Sequence, residues 1–202
     1  MNRRYYVGLA ATFHDPALAI VAPDGEVLFA EAAERSMQDK RAFNSPPDHF
    51  HRVPQLIAEY CQRGSELCVV TSWSDEIVGA HRAAIEMARA QATRLGAPDM
   101  PGDFGFPLQS ALVRAVDQAG RNLELTAPVH GCHVTRRSYD HHLTHAATAC
   151  FTSGFDDALC AVVDGYGERS ACDFFEYRGG TLRPLKTPPP IGTEAGSLGG
   201  FY

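Results

Sequence analysis

The chain has 202 residues, of which 45% are hydrophobic, 21% charged and 9% aromatic; this ordinary globular usage argues against wholesale disorder, collagen-like repeats and coiled coils. Its formal net charge is -6. The chain therefore lacks the excess of Lys and Arg with which proteins bind nucleic acid without regard to sequence. No apolar run reaches the roughly 18 residues needed to span a bilayer, so we expect neither nucleic acid nor membrane as a partner.

The first predicted elements are three short strands, at residues 5–11, 17–22 and 26–30. Asp24 and Gly25 separate the second strand from the third, and Asp-Gly between apolar runs is a strong signal for a hairpin. The first connection instead contains His14 and Asp15. Because loops held by rigid strands often carry function, this connection is a candidate site.

Alternating helices and strands are predicted next. They are a helix capped by Asp48 and running through Tyr60, a strand at 67–71, a helix ending near Gly96, a loop at 97–107 and a helix at 108–119. Asp140 is then the predicted cap of a helix at 141–151. The apolar run at 158–163 is predicted to be a strand at a central sheet position. Two further strands, at 172–177 and 181–185, are joined by Gly179 and Gly180.

Both ends of this pattern read as a three-stranded meander whose first turn carries an acid. We therefore predict two lobes of related structure, a first lobe at residues 1–156 and the start of a second lobe at 157–202. The six cysteines form no C-x-x-C pair, and several lie in apolar surroundings. They are interpreted as buried, reduced thiols of a cytoplasmic protein.

His141 and His145 form the strongest local signal. Residues four apart lie on one face of a helix, so both imidazoles can reach one ion, whereas His142 points about 100° away. Imidazole suits zinc, iron, copper or nickel and is a poor ligand for magnesium or calcium. The same spacing also fits a polar helix start whose histidines meet only solvent.

Asp164 follows the apolar strand at 158–163, which places a carboxylate at a strand end where α/β folds gather ligands. A buried carboxylate at such a position needs a cation or hydrogen-bond donors. Gly165 and Gly167 would let a phosphate or nucleotide approach the backbone closely. A simple Asp-Gly turn accounts for the same residues.

His14 is a candidate general base, because its reference pKa near 6.5 lies close to working pH; a surface histidine in a turn is the alternative. Lys40 and Arg41 could reach a phosphate, although a solvated charge run also accounts for them.

Five motifs together give a resemblance to a known family. They are residues 13–17 (FHDPA), 33–35 (AER), 140–146 (DHHLTHA), 163–168 (VDGYGE) and 197–202 (SLGGFY). In this order they resemble the amino-terminal, TsaD-like part of carbamoyltransferases of the NodU, CmcH and TobZ type. That family transfers a carbamoyl group to hydroxyls of antibiotics or nodulation signals, using carbamoyl phosphate and ATP.

The resemblance implies an α/β protein with the actin-like fold of paired ribonuclease H-like lobes, here a first lobe and the opening strands of a second, incomplete lobe. It makes His141, His145 and Asp164 ligands of a divalent metal, with iron expected and other transition metals compatible. His14 would be the catalytic base. Lys40 and residues Gly165, Tyr166, Gly167 and Glu168 would border the nucleotide or carbamoyl group, although the segment after Arg35 is less basic than is usual in the family.

The predicted function is therefore O-carbamoyl transfer from carbamoyl adenylate to a hydroxyl of a small natural product, as in antibiotic biosynthesis. Family members continue through the rest of the second lobe, a further metal carboxylate and a YrdC-like domain that makes carbamoyl adenylate. We accordingly expect this chain to be inactive by itself. The alternative is a non-catalytic remnant, or one half of a split enzyme that binds metal and nucleotide together with a second polypeptide.

Overall fold

A computed structural model describes residues 3–96 and 106–186 of the chain. The chain divides into two compact units, Met1–Ser138 and Tyr139–Tyr202. The predicted loop at 97–107 lies outside the described residues except for its last two positions. The motif at 197–202 lies outside them entirely.

The first unit is built on a five-stranded mixed sheet. Its strands are β1 (Arg4–Ala10), β2 (Ala17–Val21), β3 (Val27–Ala32), β4 (Glu66–Ser72) and β5 (His133–Tyr139), in the order β3-β2-β1-β4-β5. β2 pairs antiparallel with both β1 and β3, whereas β1 and β4 are parallel. The α/β class and the opening meander are thus as predicted, and Gly25 makes the β2–β3 turn with a φ of 96°.

Helices accompany this sheet, and most of them bury apolar side chains. They are α1 (Ala33–Met37), α2 (Val53–Tyr60), α3 (Asp75–Arg94), α4 (Pro107–Gln118) and α5 (Arg121–Thr126), followed by a 3-10 turn at Ala127–His130. Val53 and Ile57 of α2 and Leu123 of α5 share one buried cluster with Val7 and Leu67 of the strands. A smaller cluster joins α3 to α4.

The second unit consists of one helix and three antiparallel strands. The helix is α6 (His141–Thr152), and the strands are β6 (Asp157–Val163), β7 (Cys172–Arg178) and β8 (Thr181–Pro184), in the order β6-β7-β8. Ala146 of α6 packs on Val162 and Phe175. Gly179 and Gly180 join β7 to β8 with positive φ angles, as a tight turn requires.

Asp48 is not the helix cap that the sequence predicted. Helix α2 begins five residues later, with Arg52 at the capping position. Asp48 is instead fully buried, and its Oδ2 accepts a hydrogen bond from the amide of Leu123 at 3.0 Å, in the first turn of α5. Burial raises the pKa of Asp48 although several backbone amides oppose that rise. Asp48 therefore makes a long-range hydrogen bond to α5 instead of the local capping bond that the sequence predicted.

The central sheet position predicted for β6 stays a prediction, because residues 187–202 lie outside the described part of the chain. In the described residues β6 is an edge strand, paired only with β7, and alternate side chains such as Leu159 (79% exposed) and Val163 (57% exposed) leave the core. The compact units also divide at a different place from the expected lobe boundary at 156, because α6 packs on β6–β8. The lobe assignment itself stays a prediction. None of the described helices is long and apolar enough to cross a membrane.

Candidate metal centre

Helix α6 begins where the sequence places its cap. The Asp140 side chain accepts a hydrogen bond from the amide of Leu143 at 2.9 Å, which satisfies one of the free donors of the first turn. His141 and His145 follow one turn apart, and their Nε2 atoms are 3.1 Å apart. The two rings meet edge to face, with centroids 4.6 Å apart.

Asp164 joins this pair from the end of β6. Its Oδ2 lies 2.9 Å from Nε2 of His141 and 3.4 Å from Nε2 of His145. The ligand atoms of the three residues all lie within 4.8 Å of one another. The three predicted ligands therefore converge on one point, as helical spacing and a strand-end carboxylate led us to expect.

The donor set fits a first-row transition metal. Metal bonds of about 2.0–2.2 Å to nitrogen and oxygen place neighbouring donors roughly 3 Å apart, close to the separations in this triangle. Two imidazoles and one carboxylate are a ligand set used by zinc and by non-haem iron sites. His145 is about half exposed, with 52% of its side chain accessible, so an ion would be reachable from solvent.

The protonation of these groups also suits a ligand set. Burial is the main cause that lowers the pKa of His141, and the neighbouring His145 lowers it further, while Asp164 opposes both. A neutral imidazole, the form that ligates metal, is favoured. Burial raises the pKa of Asp164, but hydrogen bonds from His141 and the Gly165 amide outweigh it and hold this pKa below its ordinary value.

The Gly165–Glu168 segment, predicted to border a nucleotide, also contacts α6. Glu168 Oε1 accepts a hydrogen bond from the His141 amide at 3.2 Å. Gly165 has open space where a side chain would stand, and Tyr166 is half exposed. Gly167 is different, because the ring of His142 fills the place of its missing side chain. Contact of this segment with a nucleotide stays a prediction.

His14 belongs to the first unit, where it lies in a polar network. Its Nδ1 is 2.8 Å from Oδ2 of Asp15, and the same oxygen accepts hydrogen bonds from Nε and Nη2 of Arg41 at 3.3 and 3.2 Å. Burial raises the pKa of Asp15, but Arg41 and His14 together hold it below its ordinary value. The expected approach of His14 to the metal ligands stays a prediction.

Arg41 and Lys40 have different surroundings. Arg41 binds Asp15, and its guanidinium carbon lies 5.2 Å from the ring centre of Phe43. Lys40 is exposed in the adjoining turn. Both side chains are exposed, and the role of Lys40 toward a phosphate stays a prediction.

Sequence reasoning missed the side-chain partners of two of the histidines. His142 was set aside because it points away from His141 and His145, yet it is 1% exposed and its Nδ1 lies 2.5 Å from Oδ2 of Asp173 on β7. Asp15 and Arg41 were likewise not assigned to His14. Only the paired strands show that His142 is buried and which carboxylate it meets.

Comparison with known proteins supports the resemblance to a family. No protein-family model matches the chain. The nodulation protein NolNO of Sinorhizobium fredii (strain NBRC 101917 / NGR234) is 27% identical over 197 residues, which are 96% of this chain and 25% of NolNO. The chain thus spans about a quarter of the length of this relative. The resemblance to NodU-type carbamoyltransferases that the motifs predicted is confirmed.

Two solved structures are also similar in part. One is a ROK family protein from Streptococcus pneumoniae TIGR4 in complex with sucrose, 11% identical, with a TM-score of 0.34 over 90% of this chain and 47% of that protein. The other is the Lmo2764 protein from Listeria monocytogenes, 12% identical, with a TM-score of 0.35 over 90% of this chain and 49% of that protein. TM-scores this low do not define a shared fold.

Proposed function

We propose that this chain is the metal-bearing part of an O-carbamoyltransferase that modifies a hydroxyl of a small natural product. The observation that carries the proposal is the convergence of His141, His145 and Asp164, whose ligand atoms lie within 4.8 Å of one another. The similarity to NolNO over nearly the whole chain supports the carbamoyltransferase class. An actin-like arrangement of two lobes is part of the proposal, and the three-stranded antiparallel meander that opens each sheet supports it.

The three converging residues are the proposed ligands of a transition metal, with iron as the expected ion. When bound, such a metal supplies Lewis-acid polarisation of a carbamoyl carbonyl. His141 has its ring nearly buried and hydrogen-bonded to Asp164, so it is held in place before an ion arrives. His145 is the more exposed ligand and completes the set from the solvent side.

His14 is the proposed base for the acceptor hydroxyl. Because a carboxylate only accepts hydrogen bonds, the bond to Asp15 places the proton of a neutral His14 on Nδ1. Nε2 is then the nitrogen that can take the proton of a hydroxyl within about 3 Å. Asp15 thereby determines which nitrogen is basic.

ATP and carbamoyl phosphate are the proposed substrates of the intact system, and a YrdC-like domain, on the same or a second polypeptide, would supply carbamoyl adenylate. Lys40 and the Gly165–Glu168 segment are assigned to the nucleotide or carbamoyl group. The open space beside Gly165 and the exposure of Lys40 support these assignments.

The metal assignment is tested by titrating the metal-free chain with Fe²⁺ under anaerobic conditions and with Zn²⁺, using calorimetry and metal analysis. We expect equimolar binding by the wild type and at least about a 100-fold loss of affinity in His145→Ala, since one of three protein ligands is removed.

The matched control is His133→Ala, which removes a histidine on β5 that is exposed. It should bind metal as the wild type does. Equal affinity of wild type and His145→Ala would contradict the proposed centre.

A further inference from the structure

His142 is a buried histidine for which the proposed chemistry has no use. Its side chain is 1% exposed, and it is the second residue of α6, directly after the proposed ligand His141. Its Nδ1 is 2.5 Å from Oδ2 of Asp173, the second residue of β7, so the ring is tied to the sheet on which α6 packs. A carboxylate is an acceptor, and Nδ1 is therefore the donor.

The opposite edge of the ring rests on the loop at 164–171. A Cβ atom built on Gly167 would collide with Cε1 and Nε2 of His142 and with the carbonyl oxygen of Ser170. The ring and the loop are therefore in direct contact only because residue 167 is glycine. Nε2 makes no hydrogen bond within the described residues.

This loop carries two groups that bind the start of α6. Asp164 provides the proposed ligand carboxylate, and Glu168 accepts the hydrogen bond from the His141 amide. The loop is closed by bonds from the Asp164 amide to the Ala171 carbonyl at 2.9 Å and from the Gly167 amide to the Ser170 carbonyl at 3.1 Å. Its position relative to α6 therefore decides how far Asp164 stands from the two imidazoles.

We propose that His142 is a positioning residue for the metal centre. Anchored by Asp173 and in contact with Gly167, its imidazole acts as a spacer that sets the distance between α6 and the loop, and hence the place of the Asp164 carboxylate. The inference rests on the proposed metal centre and adds to it a buried histidine, a carboxylate and a glycine that ligate nothing themselves.

Packing alone does not account for a histidine here. An apolar side chain of similar volume would fill the space without burying a ring nitrogen that has no partner in the described residues, which is a cost. The bond to Asp173 fixes the ring plane, and a fixed plane is what a spacer needs. Replacing residues that orient metal ligands without binding the metal themselves typically lowers metal affinity by about 10- to 100-fold.

Two variants separate the spacer from the anchor. His142→Asn keeps a donor near the place of Nδ1 for Asp173 but removes the part of the ring that touches Gly167. Gly167→Ala keeps the whole of His142 and pushes the loop away from it. Each full-length, metal-free variant is titrated with Co²⁺, whose visible absorption reports both affinity and coordination geometry.

We expect both variants to bind Co²⁺ at least about tenfold more weakly than the wild type and with a changed absorption spectrum, while circular dichroism shows a folded chain. His133→Asn and Gly79→Ala are the matched controls, because His133 is exposed and Gly79 has open space around it. Both controls should retain the affinity and spectrum of the wild type. The spectral change is a result that a general loss of stability would not produce.

Three outcomes would overturn the inference. Unchanged affinity and spectrum in His142→Asn and Gly167→Ala, with His145→Ala strongly impaired, would refute the spacer and leave the metal centre intact. Equal binding by wild type and His145→Ala would refute the centre itself. Loss of the fold in both spacer variants would identify His142 as a core residue rather than a positioning residue.

Discussion

Residues 12–16 and 38–44 form a pair of loops in which several side chains depend on unusual backbone. Asp15 and Arg41 have φ angles of 51° and 65°, which non-glycine residues seldom adopt. The Asp15 amide donates to the Arg41 carbonyl at 2.8 Å, and the Asn44 amide donates to the Phe13 carbonyl at 2.9 Å. These bonds hold both loops and bring Asp15 against the ring of His14.

Replacing Asp15 should change the tautomer of His14. In Asp15→Asn the amide nitrogen can donate to Nδ1, so part of the population should carry its proton on Nε2 instead. For the neutral imidazole, we expect the wild type to show mainly the Nδ1-protonated form and the variant a mixture. Long-range ¹H–¹⁵N NMR of the imidazoles measures this directly, with His14 assigned by its absence in His14→Asn.

Asp39→Asn is the control for this measurement, because it removes a neighbouring carboxyl that does not contact His14 in any described hydrogen bond. It should leave the spectrum of His14 unchanged. The same tautomer in wild type and Asp15→Asn would show that Asp15 does not orient the ring.

At the scale of elements, the first turn of α6 contains both the helix cap and residues of the proposed metal centre. That turn holds the Asp140 cap, His141 and the amide bound by Glu168, so the start of the helix and the proposed centre are the same residues. The sequence predicted this helix well because capping is local. It did not predict β5 (His133–Tyr139) or α5 (Arg121–Thr126), since neither shows a clear apolar period and both are held by neighbouring elements.

Removal of the cap should weaken the second unit measurably. We expect Asp140→Ala to lower the free energy of unfolding by about 1 kcal/mol, within the usual range of roughly 0.5–2 kcal/mol for a lost N-cap. Asp140→Asn, which keeps an acceptor for the Leu143 amide, should lose much less. Urea denaturation of the metal-free proteins gives the comparison.

The control for the cap is Asp157→Ala, which removes an exposed carboxylate at the start of β6 that pairs with exposed Arg178. Its effect should stay within about 0.5 kcal/mol, as expected for an exposed pair. A loss in Asp140→Ala no larger than that of this control would contradict the capping role.

At the scale of the whole molecule, the second sheet leaves one apolar face exposed in the described residues. Leu159, Ala161 and Val163 alternate on β6, and Phe174, which pairs with Ala161, continues the same face on β7. Large exposed apolar patches beside an unpaired strand edge favour association. The α6 side of the same sheet is buried by contrast.

We therefore expect the purified chain to self-associate with rising concentration, and the double variant Leu159→Lys/Val163→Lys to remain closer to a monomer, because two charges interrupt the apolar face. Sedimentation velocity over a tenfold or wider concentration range measures both. Met87→Lys, an exposed position on α3 of the first unit, is the control and should behave as the wild type. A wild type that stays monomeric throughout would contradict the expectation.

The sequence by itself determined those features that depend on neighbours a few residues away. The opening meander, the Asp24-Gly25 hairpin, the Asp140 cap and the alignment of His141 with His145 follow from periods of two and 3.6 residues and from local turn chemistry. The strand-end position of Asp164 was predictable in the same way. Periodicity therefore aligned the two imidazoles and strand position placed Asp164, whereas the family resemblance identified the three residues as metal ligands.

Only the tertiary structure decided which distant groups meet. Asp48 was predicted to cap a local helix and instead binds the Leu123 amide far along the chain. His142 finds Asp173 and Gly167 only because β7 pairs with β6 and the loop folds back. Local patterns fix faces and ends of elements, whereas strand pairing and burial choose partners between elements, and that choice depends on the whole packed core.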